Sequence, residues 1–141
     1  MLVGMAARAG LAILLMAFCF GAWKLTGMAV LARARRASET GAGILEGFIR
    51  GRPGLLVFGS PHCAPCVHAQ KPAAHRLEKD FEGAIQLIEI DITQKPGLAE
   101  RYGVVSLPTV FIFDSAGAPR RVNHGLVSYD ELRRQISPFL V

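Results

Sequence analysis

Apolar positions are arranged in two ways along this chain, as one long stretch near the amino terminus and as short periodic patterns after it. From Ala9 to Leu31 the sequence reads AGLAILLMAFCFGAWKLTGMAVL, long enough for a helix that crosses a bilayer and interrupted by one charge, Lys24. Lys24 lies past the midpoint beside Trp23, so its stem can carry the ammonium to the nearer interface. After Arg33, Arg35 and Arg36, the stretch ASETGAG is small, polar and aperiodic, and it predicts a tether.

Beyond the tether the pattern changes. Ile44, Leu45, Phe48 and Ile49 recur at helical spacing and stop at GRPG, which predicts a short amphipathic helix and a turn. LLVF at 55–58 is an apolar run between turn residues and predicts a buried strand. Cys66, Ala69, Ala73, Leu77 and Phe81 form the stripe of a helix lying on a sheet, and Pro72 inside it predicts a kink near His68. A strand over 85–91, a short helix over 95–103 closed by Gly103, a strand over 109–113, a turn at DSAGAP and an edge strand at RRVNH follow. Ser128 and Glu131 form a capping box for a last helix that turns Leu132 and Ile136 inward and ends near Pro138. This order predicts an α/β domain, a central sheet with helices on both faces, preceded by one amino-terminal transmembrane helix. The division is a tail at 1–8, a span at 9–31, a basic then polar tether at 32–42, and the folded domain at 43–141.

Charge sharpens the membrane reading. Of sixteen Lys and Arg residues, Arg8, Lys24, Arg33, Arg35 and Arg36 fall in the first 36 positions with no acid, so the whole net charge of +5 resides there. The remaining eleven basic side chains face eleven acids without forming a stripe, which argues against a nucleic-acid partner. Arginines are denser after the span than before it, which places the domain on the cytoplasmic face of a single-pass protein, the exported face being the alternative. A cleaved signal is disfavoured because apolar sequence resumes after Lys24. Cys19 reads as a small lipid- or helix-facing residue.

The chemistry is concentrated in GSPHCAPCVH at 59–68. Haem attachment needs a histidine directly after the second cysteine, where Val67 stands. A structural zinc site wants four ligands, and no second CxxC exists, although His62 or His68 could join the cysteines in a copper- or zinc-handling module. A redox dithiol fits the setting. A thiol attacks as its thiolate, and Cys63 falls where a strand gives way to a helix, whose first N–H groups and dipole favour that anion. Cys66 follows one turn deeper as the resolving thiol, and Pro65 stiffens the loop between them. His62 is a candidate to stabilise the Cys63 thiolate and equally a solvated loop residue. His68, His75 and His124 read as surface or packing positions.

CAPC after a buried strand, followed by IEIDITQKPGLAERYGVVSLPTVFIFDSAG and NHG, resembles the thioredoxin family from about residue 43 to 139. The resemblance implies a thioredoxin-like mixed sheet and a thiol-disulfide oxidoreductase without a cofactor, here membrane-tethered. Its partners would be protein dithiols or disulfides and an unidentified electron donor. It also implies that Pro108 follows a cis bond and faces the disulfide, leaving the Leu107 backbone to pair with an extended substrate. The sequence departs from the family at Val57, where a buried aspartate is usual, and at Gly59 and His62, where tryptophans are common. Ala64 stands where glycine is best known. The alternative from another class remains a membrane-anchored metal-handling module using the same cysteines.

Overall fold

The computed structural model describes residues 2–39 and 47–140. Helix α1 (Leu2–Glu39) is followed by strand β1 (Gly54–Gly59), a π-helical turn (Cys66–Gln70) running into α2 (Lys71–Asp80), and β2 (Gln86–Asp91). Then come α3 (Pro96–Tyr102), β3 (Thr109–Phe113), β4 (Pro119–His124) and α4 (Tyr129–Ile136), with a closing 3-10 turn at Ser137–Phe139. The sheet order is β2-β1-β3-β4; β1 and β2 run parallel and the other pairs antiparallel. The mixed sheet and the four strands match the sequence expectation.

Alternation along the central strands builds two apolar layers. Leu55, Val57, Val110 and Ile112 meet Ala74 and Leu77 of α2 and Leu132 and Ile136 of α4. Leu56, Phe58, Phe111 and Phe113 meet Ala99 and Tyr102 of α3 and Ala34 of α1 on the opposite face. Tyr102 stacks edge-on against Phe111, and burial pushes its hydroxyl up to about 12. The Ser128 hydroxyl caps α4 by accepting the Glu131 N–H at 3.3 Å, as the capping box predicts.

The amino-terminal half of the expectation needs correction. Residues 40–46 of the predicted tether and first domain helix lie outside the described residues, but 32–39 are helix, continuous with the apolar stretch. The reason is a stripe of small residues: Ala34 is wholly buried, and Val30 and Ala37 lie against the same cluster. Arg35 donates from Nε to the Pro119 carbonyl at 3.3 Å, so an arginine assigned to a tether ties α1 to β4. Gly103 caps α3 at φ +68, and a Cβ there would lie 3.3 Å from Cδ of Arg33, so the close approach of α1 also suits a glycine. The described end of the predicted helix at 44–49 is turn and coil rather than helix. It is fastened by Gln86, whose amide accepts from Ile49 N–H at 2.8 Å and donates to the carbonyls of Ile49 and Arg52 at 2.8 and 2.7 Å.

Pro72 acts differently from the predicted kink. It lacks the N–H that would bond the His68 carbonyl, and the chain widens into the π turn, in which Lys71 N–H reaches back to the Cys66 carbonyl. The buried stripe becomes Cys66, Gln70, Ala74 and Leu77 in place of one through Ala69 and Ala73.

Candidate active site

β1 delivers the site. Gly59 ends the strand, and Ser60 begins a tight turn in which its carbonyl accepts the Cys63 N–H at 3.1 Å and its hydroxyl accepts the His62 N–H at 3.2 Å. Ala64 and Pro65 are already helical, Pro65 at φ −61 and ψ −33, so Cys63 stands at the first residue before the helical segment. Cys63 and Cys66 are joined as a disulfide with their Cα atoms 5.2 Å apart. Cys66 is 1% exposed, whereas Cys63 is partly exposed. The Cys66 N–H points at Cys63 Sγ at 3.3 Å, the contact a thiolate at a helix start would use.

The Leu107–Pro108 bond is cis. Thr109 pairs with Phe58, so Pro108 and Gly59 leave the sheet at the same end, where the dithiol loop begins. Pro108 is buried and its carbonyl accepts the Gly125 N–H at 2.8 Å; Leu107 is partly exposed. A family model for thioredoxin matches residues 47–137, the span that holds the dithiol, the cis proline and all four strands. The chain belongs to the thioredoxin family.

Among thioredoxin relatives, the chain is 37% identical over 91 residues to thioredoxin M4, chloroplastic, of Arabidopsis thaliana, covering 63% of this chain and 45% of that protein. To thioredoxin 1 of Nostoc sp. it is 33% identical over 61 residues, 43% of this chain and 56% of that one. The chain thus spans about half the length of the curated relatives it matches. A solved malarial protein superposes with a TM-score of 0.58 at 26% identity, over 64% of this chain and 99% of its own. Fasciola hepatica thioredoxin superposes at 0.57 and 23% identity, over 64% and 83%, which speaks for the fold alone.

Within this thioredoxin fold the departures fall beside the sulfurs. A Cβ at Gly59 would lie 3.4 Å from Cys66 Cβ and 3.6 Å from its Sγ, so the second sulfur rests over a residue without a side chain. Val57, two residues earlier on the same strand face, is 3% exposed and offers the dithiol no carboxylate. His62 is exposed and lies close enough to Asp91 to act on its charge. The Asp91 carboxyl is held below its ordinary value first by hydrogen bonds from the Thr93 hydroxyl and N–H, with His62 a lesser influence. His68 and His124 are exposed, as expected. Among the described residues no group of three or more His, Cys, Asp or Glu side chains is placed to hold a metal ion.

Two features escaped the sequence reading. Gln70 is wholly buried and binds the main chain of Val127 through both amide atoms. Its only signal was the i+4 spacing from Cys66. His75 is exposed, in keeping with a surface position, and the unread feature is its pairing: it joins Lys71 on Glu89, at 3.2 and 3.5 Å. The pairing of β1 with β2 sets Glu89 beside Val57, and sequence carries no sign of that register.

Proposed function

We propose that this protein is a thiol-disulfide oxidoreductase acting on protein substrates, with Cys63 as nucleophile and Cys66 as resolving thiol. The observation that carries the reading is the asymmetry of the pair: Cys63 is partly exposed at a helix start with an N–H aimed at its sulfur, and Cys66 is buried behind it. The Cys63 thiolate attacks a substrate disulfide and expels one substrate sulfur, giving a mixed disulfide. Cys66 then attacks Cys63 Sγ, the second substrate sulfur leaves, and the substrate is reduced as the pair is oxidised. An external dithiol donor returns the pair to the reduced state. The Leu107 backbone, beside cis-Pro108, is the proposed edge for an extended substrate segment. Pro65 fixes the spacing of the thiols, and His62 supports the Cys63 thiolate when protonated.

We also propose that α1 anchors the protein in a membrane. It is the one described helix long and apolar enough to cross one, and Leu11, Leu14, Phe18 and Phe20 are each more than half exposed. The domain flanks α1 from Trp23 onward, across a cleft lined by Trp23, Lys24 and Met28 on one side and Arg121 and His124 on the other. The exposed apolar stretch begins at Gly10, after Arg8, and about 20 residues of helix at roughly 1.5 Å per residue match the roughly 30 Å hydrocarbon core. The arginines after it favour the cytoplasmic face.

Three measurements test these readings. Cys63→Ser should abolish disulfide reduction, and Cys66→Ser should trap substrate on Cys63; alkylation of Cys66 ahead of Cys63 would reverse the roles. The full chain should remain in membranes after a carbonate wash, and its release, or loss of the amino-terminal residues, would replace the anchor with a leader. An impermeant thiol reagent outside intact cells should miss Cys63.

A further inference from the structure

A resolving thiol must lose its proton before it attacks, and Cys66 is buried, so its proton needs a nearby acceptor. Cys66 opens on a cleft of about 440 Å³ that also exposes Val57, Lys71, Glu89 and Asp91. The sheet explains why these meet. Val57 pairs with Glu89 and Gly59 with Asp91, and residues in register on neighbouring strands share a face, here the face covered by the helix that carries Cys66. The cleft therefore holds two carboxylates one strand away from the sulfur.

Asp91 is already engaged by its own loop. Thr93 donates to it from N–H at 2.9 Å and from its hydroxyl at 2.7 Å, and both bonds favour the ionised carboxylate over its protonated form. Glu89 is placed otherwise. Its side chain is 29% exposed, and Lys71 at 3.5 Å and His75 at 3.2 Å hold it from α2. Glu78 approaches His75 at 3.9 Å from the same helix, and Asp91 and His62 lie toward the end of β2. Lys71 and His75 fix the carboxylate against the helix and leave it facing the cleft.

We propose that Glu89 is the proton acceptor for Cys66 in the resolving step, reached through solvent in the cleft, and so supplies from β2 what Val57 cannot supply from β1. The inference rests on the oxidoreductase reading above. The Cys66 S–H bond breaks, its proton passes to Glu89, and the thiolate forms a bond to Cys63 Sγ. The bond between Cys63 and the substrate sulfur breaks, and that sulfur leaves with the electron pair and is protonated by solvent. Glu89 returns its proton to solvent afterwards. Lys71 and His75 are positioning residues in this scheme.

The test uses the reduced full chain carrying Cys19→Ser, so that this exposed third thiol adds no release of its own, in detergent with Ellman's reagent as the disulfide probe, under single-turnover conditions. The first thionitrobenzoate is released when Cys63 attacks, and the second when Cys66 displaces the mixed disulfide. Glu89→Gln should leave the first phase unchanged and slow the second about tenfold or more near neutral pH, with the deficit narrowing as hydroxide takes over at higher pH. Glu89→Asp should recover part of the rate, and Asp91→Asn should leave it near that of the parent. Removing a nearby negative charge would by itself ease thiolate formation, so slowing cannot be a simple field effect. A second phase unaltered by Glu89→Gln at every pH, or slowed as much by Asp91→Asn, overturns the proposal. Absence of the first phase would instead refute the oxidoreductase reading.

Discussion

Gln70 and Val127 hold each other through a two-way bond: the Val127 N–H donates to Gln70 Oε1 at 2.9 Å, and Gln70 Nε2 donates to the Val127 carbonyl at 3.3 Å. Gln70 lies one turn after Cys66, and Val127 lies two residues after Gly125, whose N–H binds the Pro108 carbonyl at 2.8 Å. One buried amide therefore joins the helix of the dithiol to the loop behind the cis proline.

Truncating that amide leaves a buried N–H and a buried carbonyl without partners. Gln70→Ala should lower unfolding free energy by about 2 kcal/mol or more, while an exposed change on the following helix, Lys79→Ala, should have little effect. Urea unfolding of both variants in detergent checks this. Equal midpoints would mean that solvent replaces the amide.

Asp114 links stability to pH. Burial opposes its charge, but hydrogen bonds from Ala118 N–H, the Arg120 side chain and Ala116 N–H outweigh burial and hold the carboxyl below its ordinary 3.8. A carboxyl depressed in the folded state stabilises above its unfolded value, and that contribution is lost as pH falls through the folded one. Asp114→Asn should therefore be less stable than the parent at neutral pH, with the gap closing as pH drops below 3.8. A gap independent of pH would mean that Asn keeps the turn and the charge contributes nothing.

What was legible in the sequence follows from how local each cause is. The strands and the dithiol could be read because short apolar runs sat between turn residues and the cysteines followed one of them directly. The cis bond at Pro108 was reachable only through family resemblance. Gln70 was passed over because a helical stripe was sought among apolar residues, and the π turn before Pro72 altered its phase. The pairing of Val57 with Glu89 depends on register between segments about thirty positions apart. The docking of α1 was hidden by composition, since Val30 stands at the end of the stretch apolar enough to be assigned to lipid, while Ala34 and Ala37 fall among the arginines and small polar residues that read as a tether.

That docking has a direct test. Ala34 is wholly buried between α1, α3 and the sheet, so a larger side chain has no room there. Ala34→Leu should destabilise the domain by about 1–3 kcal/mol, whereas Ala32→Leu, on an exposed position of the same helix, should not. Unfolding midpoints of the two variants in the same detergent decide it. Equal midpoints would mean that the end of α1 swings free and acts as the tether that composition predicts.

The final prediction concerns Val57. It is 3% exposed, lies on the strand face below the dithiol helix, and pairs with Glu89, so an aspartate there would be both desolvated and beside another carboxylate. Val57→Asp should cost roughly 2 kcal/mol or more of stability. The same aspartate would lie beside the cleft into which Cys66 opens, and once ionised it can take the Cys66 proton. In the parent background it should accelerate the resolving step above neutral pH. In the Glu89→Gln background the gain should be larger, because the aspartate then replaces a missing acceptor and no longer faces a like charge. Melting temperature and single-turnover decay of the mixed disulfide, measured for the two single variants and the double, separate these effects. Unchanged stability in Val57→Asp would mean that position 57 is not closed off beneath the dithiol. Equal acceleration in both backgrounds would mean that Glu89 and an aspartate at 57 act on Cys66 independently.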